Sequence, residues 1–141
     1  MDGFLLDTNV LSEFARPQPA DQRVDIWLKA LPDEMLYASV LTFAEIRRGI
    51  ELLPTGKRRT QLEEWLDDLD RSFSERLLPV TKAIGDRWAF LSAQATRRGV
   101  TVSVFDGILA ATALECDLTV ATRNVKDFAG LGARLFNPWE S

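Results

Sequence analysis

A chain of 141 residues, 46% hydrophobic and 27% charged, has the length and apolar content of one compact domain with its own core. It contains no histidine and one cysteine, which excludes Ser-His-Asp and Cys-His triads, paired-imidazole ribonuclease chemistry, His-ligated zinc or iron, and an internal disulfide. Those exclusions leave carboxylates with a hard cation, Mg2+ or Mn2+, as the natural route to hydrolysis, while a net charge of −4 argues mildly against a generic basic nucleic-acid binder.

Phe4-Leu5-Leu6 is a short apolar run that stops at Asp7, the pattern of a buried strand with a polar group at its C-terminal end. Thr8-Asn9 begin a helical stretch with Val10, Leu11 and Phe14 on one face, closed by Pro17 and Pro19. A second helix is predicted from Asp21 to Ala30, where Val24, Trp27 and Leu28 fall at helical spacing. Met35-Leu36-Tyr37-Ala38 reads as the second strand. Ser39 to Leu53 follows as a helix with Phe43, Ile46, Ile50 and Leu53 in its stripe and Glu45 off it. After the break at Pro54-Thr55-Gly56, Leu62, Trp65, Leu66, Leu69 and Phe73 predict another helix. Its Trp65 and Phe73 have two readings, a face for a second copy of the chain or plain core packing.

Leu77 to Val80 predicts a short strand, and Thr81 a cap for a helix carrying Ile84, Trp88, Leu91 and Ala95 and ending at Gly99. Val100 to Val104 alternates like a strand and fits a structured loop equally well. Asp106-Gly107 begin a small-residue helix through Ala113, whose alanines predict close packing against a neighbour. Cys116 falls at its end and reads as a buried structural thiol. Leu118 to Ala121 and Ala133 to Phe136 read as the last strands.

Strands alternating with helices predict an α/β domain with a mainly parallel central sheet, one domain over residues 1–141 with no repeat or linker. No apolar run approaches the ~20 residues that cross a membrane. Met1-Asp2-Gly3 has no basic leader pattern, so a reducing, cytoplasmic location is expected. Arg47-Arg48, Lys57-Arg58-Arg59 and Arg97-Arg98 are basic clusters that read either as phosphate contacts or as solvated surface.

Ligands of parallel sheets gather at the carboxyl ends of strands. Asp7 and Asn124 follow two predicted strands, Glu45 lies in the helix after another, and Asp106 starts a helix. Each has an ordinary alternative. Asp7 reads as an N-cap, Glu45 as a surface acid paired with Arg47 or Arg48, and Asp106 as a cap or turn residue. Gathered in one pocket, three acids repel one another strongly, and a cation is what holds them together. An aspartyl-nucleophile phosphotransferase would need a second Asp where Asn9 stands. Phosphate-cradling Gly-rich loops are missing.

The chain resembles the PIN-domain toxins of bacterial toxin–antitoxin pairs, the VapC group and its FitB-like branch. The resemblance rests on Leu5-Leu6-Asp7-Thr8-Asn9-Val10, Thr42-Phe43-Ala44-Glu45-Ile46-Arg47-Arg48-Gly49 and Asp106-Gly107-Ile108-Leu109-Ala110-Ala111-Thr112-Ala113. It extends to Ala121-Thr122-Arg123-Asn124 with Asp127-Phe128, and to Asn137-Pro138-Trp139. It implies a three-layer α/β/α PIN domain and an endoribonuclease using Mg2+ or Mn2+, with Asp7, Glu45 and Asp106 as metal ligands. Products with 5′-phosphate and 3′-hydroxyl ends are implied as well. Thr8, Asn9 and Thr122 would orient carboxylates and water. Asn124 stands where the family commonly has a fourth acid, so either the site runs on three carboxylates or Asp127 compensates, and one tightly bound metal is expected. The implied partners are RNA, a cognate antitoxin whose C-terminal segment lies in the active-site groove, a second copy in a homodimer, and operator DNA through the antitoxin only. A rival expectation is a catalytically weak PIN-fold module that docks an antitoxin in a repressor complex; another is a housekeeping nuclease without an antitoxin.

Overall fold

The computed structural model describes residues 3–14 and 21–140. Five strands form the sheet: β1 (Phe4–Leu6), β2 (Leu36–Ser39), β3 (Leu77–Leu78), β4 (Thr119–Ala121) and β5 (Leu135–Phe136). Every pairing is parallel, in the order β3-β2-β1-β4-β5. Helices α1 (Thr8–Leu11), α2 (Gln22–Ala30), α3 (Val40–Glu51), α4 (Lys57–Ser72), α5 (Lys82–Arg97) and α6 (Val104–Cys116) complete a three-layer α/β/α architecture, as expected.

Alternation along the strands divides the interior. Leu5 and Val120 face one core with Leu109, Ala110, Ala113 and Phe128; Leu6 and Ala121 face another with Phe43, Leu66, Leu69 and Phe73. Burying both faces is what a parallel sheet requires, and it explains why β1 reads as an unbroken apolar run. The order reverses direction between β1 and β4, which opens a crevice at their carboxyl ends. Register places Leu6 beside Ala121, so the next residues, Asp7 and Thr122, emerge side by side into that crevice.

Where the sequence left two readings open, the structure selects one. The stretch before α6 forms no strand: residues 100–103 are irregular, and Ser103 caps α6 through a hydrogen bond from the Asp106 N–H. Gly99, at φ +73°, ends α5 and lets the Val100 N–H return to the Ala95 carbonyl. Trp65 and Phe73 take the core-packing reading. Phe73 is fully buried with its ring against Phe14 and Phe43, and the Trp65 indole donates to the Phe14 carbonyl at 3.2 Å. Pro17 and Pro19, expected to close the first helix, lie outside the described residues. Cys116 ends α6 half-buried, its thiol pushed up by burial and then by the Glu115 charge. Among the described residues no helix is long and apolar enough to cross a membrane.

Candidate active site

Asp7 leaves β1 with extended backbone and caps α1, its Oδ1 accepting the Thr8 N–H at 2.8 Å. The N-cap reading is therefore correct but incomplete. Oδ2 accepts the Thr122 hydroxyl at 2.7 Å and the Asn9 amide at 3.4 Å. Only 7% of Asp7 is exposed; Oδ2 is held by two donors and Oδ1 by one, which leaves a lone pair of Oδ1 free. The carboxylate is thus oriented before any ligand arrives.

Glu45 sits midway along α3, half-buried, with Oε1 accepting the Thr8 hydroxyl at 2.8 Å. The surface-pair reading does not describe it: Arg47 points to Glu51 instead, at 3.9 Å. Thr8 thus offers its backbone N–H to one acid and its hydroxyl to another. Asp106 lies in the first turn of α6, half-buried. Burial pushes its carboxyl above the usual range, a side-chain hydrogen bond with Ser103 draws it partly back, and the charges of Asp7, Asp127 and Glu45 raise it further.

Asp127 is exposed on the 3-10 turn Val125–Phe128, where its N–H meets the Asn124 carbonyl at 3.0 Å. Asn124 is exposed, its N–H donating to the Thr122 hydroxyl at 3.0 Å. Asp7, Glu45, Asp106 and Asp127 therefore share one electrostatic neighbourhood, to which Asn124 contributes no charge.

Among the described residues no three acids stand close enough to grip one ion by themselves. The donors are all oxygens, with no histidine or thiolate near them. That set suits Mg2+ or Mn2+, which take one or two carboxylates directly and reach others through water. Beside the acids, α1, α3 and α4 enclose a groove of about 800 Å³ that begins at Thr8 and runs past Ile46, Arg58 and Trp65.

Three features escaped the sequence reading. Ser103 is the cap of α6, and the Ser-x-x-Asp spacing of a capping box was its signal. Gly107, expected in the small-residue helix, is buried there against a partner the expectation did not include: a Cβ would come 2.8 Å from the Trp88 ring on α5. Arg123 carried no role, and its contacts are all with residues distant in the chain.

The family model described as PIN domain matches residues 4–132. Toxin FitB of Neisseria gonorrhoeae is 41% identical over 136 residues, covering 96% of this chain and 97% of that protein. VapC ribonuclease Y4jK of Sinorhizobium fredii is 39% identical over 137 residues, covering 96% of this chain and 97% of that protein. A structure of FitAB bound to an IR36 DNA fragment superposes with a TM-score of 0.88 at 39% identity, covering 96% of this chain and 95% of that one.

Proposed function

The chain belongs to the PIN domain family, among relatives that include a toxin and a VapC ribonuclease, and from that premise we propose that it is the toxin of a toxin–antitoxin pair, a metal-dependent endoribonuclease. The observation that carries the reading is the frame at the carboxyl ends of β1 and β4, where Thr8 joins Asp7 to Glu45 and Thr122 fixes Asp7, with the half-buried Asp106, raised first by burial and then by the charges of Asp7, Asp127 and Glu45, in the same neighbourhood. Such a cluster is unfavourable on its own and becomes favourable once a cation occupies it. The reading takes residues 1–141 as one PIN domain acting in the cytoplasm.

Asp7, Glu45 and Asp106 would hold Mg2+ or Mn2+, some of them through water. When bound, the ion supplies Lewis-acid neutralisation of the scissile phosphate and a more acidic water. The protein's own contribution is orientation. Thr122 and Asn9 fix Oδ2 of Asp7, Thr8 fixes Asp7 and Glu45 against each other, and α6 carries Asp106 on a rigid, capped turn. Asn124 would position water through its amide, and Asp127 would supply the fourth negative charge from one turn further on.

The partner is proposed to be an antitoxin whose terminal segment enters the groove beginning at Thr8, as a relative of this chain is found in the FitAB assembly with DNA. Operator DNA would be met through that antitoxin, and the toxin would pair as a homodimer. Purified chain incubated with cellular RNA and Mg2+ or Mn2+ should generate new 5′-phosphate ends. EDTA and Asp7→Asn should each abolish them. Intact RNA with every metal would instead support the catalytically weak, antitoxin-docking module that Asn124 keeps open.

A further inference from the structure

Arg123 lies between Thr122 and Asn124 and is held on three sides. Its N–H donates to Asn9 Oδ1 at 3.2 Å, and the same Asn9 side chain donates to Asp7. Its carbonyl accepts the Asn137 amide at 3.4 Å, and Asn137 Oδ1 accepts the Trp139 N–H at 2.9 Å. The guanidinium carbon sits 5.2 Å from the centre of the Trp139 ring. Trp139 itself is only 6% exposed and belongs to the core. An exposed arginine is thereby seated on a fixed aromatic floor, one residue from the threonine that orients Asp7.

Some cations of the basic clusters noted in the sequence are already engaged. Arg47 and Arg59 pair with Glu51, and Arg98 is engaged by the Gly130 carbonyl. Among the described residues Arg123 has no carboxylate within ion-pair distance. Stacking occupies the flat face of a guanidinium and leaves the in-plane N–H donors for an anion, in the fork that matches phosphate. A polyanion approaching a pocket of acids is repelled, and a preorganised cation at the rim offsets that repulsion where it is strongest.

We propose that Arg123, seated on Trp139, binds an RNA backbone phosphate flanking the one that is hydrolysed. The assignment rests on the ribonuclease reading and adds to it a substrate-binding residue. Arg123→Gln should raise the KM for RNA about tenfold while leaving kcat within about twofold. Binding of a labelled mixed-sequence single-stranded oligoribonucleotide in EDTA tests the contact without hydrolysis. There, the slope of log Kd against log salt should shrink by about 0.7, the value for one lost phosphate contact. Arg123→Lys should restore that slope but only part of the KM. Lys82→Gln, which neutralises an exposed cation paired with Asp86, should change neither. A fall in kcat at constant KM and slope would overturn the assignment and leave Arg123 a merely structural tether. So would cleavage and binding by Arg123→Gln equal to wild type, with the ribonuclease reading intact. A wild-type protein that neither cleaves nor binds RNA would overturn both.

Discussion

The Thr122 hydroxyl donates a 2.7 Å hydrogen bond to Oδ2 of Asp7, a residue 115 positions earlier in the chain. Parallel register between β1 and β4 is what brings them together, and the contact is fully shielded from solvent on the threonine side. Thr122→Val keeps the shape and removes the donor. Loss of a partner that orients a metal-binding carboxylate typically costs ten- to a hundredfold in metal affinity or activity. We expect that loss in a Mg2+ titration, with Thr122→Ser recovering most of it. Equal behaviour of the valine and serine variants would show that the hydroxyl does not matter.

Asp106 sets a pH dependence whose sign follows from its raised carboxyl. A folded state that holds a proton more tightly than the unfolded chain loses stability as pH rises through the folded value. Well below the ordinary aspartate value of 3.8 the group is neutral in both states and costs nothing. At neutral pH its charge burdens the metal-free fold. Asp106→Asn should therefore melt above wild type in EDTA at neutral pH, and the gap should close as pH falls below 3.8. Saturating Mg2+ should reverse the order, because ligand binding adds to the stability of the protein that binds it better. An asparagine variant that melts lower in EDTA at neutral pH would contradict the electrostatic account.

Gly107 tests the seat of that aspartate. A methyl group there would lie 2.8 Å from Trp88 Cδ1 and 2.9 Å from Nε1, inside contact distance with a half-buried ring. Gly107→Ala should destabilise the protein by about 1–3 kcal/mol, the usual cost of overpacking. It should also weaken metal binding by displacing the adjacent Asp106. Combining it with Trp88→Leu should cost less than the sum of the two single changes, as coupled neighbours do. Additive losses in denaturant melts would place the strain elsewhere.

Much of this arrangement was legible because local pattern and tertiary role coincide. Phe4-Leu5-Leu6 is apolar on both faces because both faces are buried, and Asp7 marks where burial ends. The stripe of α3 fixed which way Glu45 could not point. Other features depend on distant partners. Val102 and Val104 alternate with polar neighbours, yet no strand edge is offered to them, and Ser103 diverts the backbone into a helix. Gly107 falls where the small-residue helix is expected, but nothing nearby in sequence announces Trp88. The cradle of Arg123 needs Asn9 from one end of the chain and Trp139 from the other. No local window contains both.

The reversal of strand order between β1 and β4 also bears on how the protein is made. Asp7 is synthesised well before Thr122, Asn137 and Trp139. Until β4 slides in beside β1, Asp7 has no donor on Oδ2 from that side and Arg123 has no floor. Nascent chains and fragments ending before Thr119 carry the acids without the frame that aims them. The frame that aims the acids is thus completed only once β4 and the residues after it have been made.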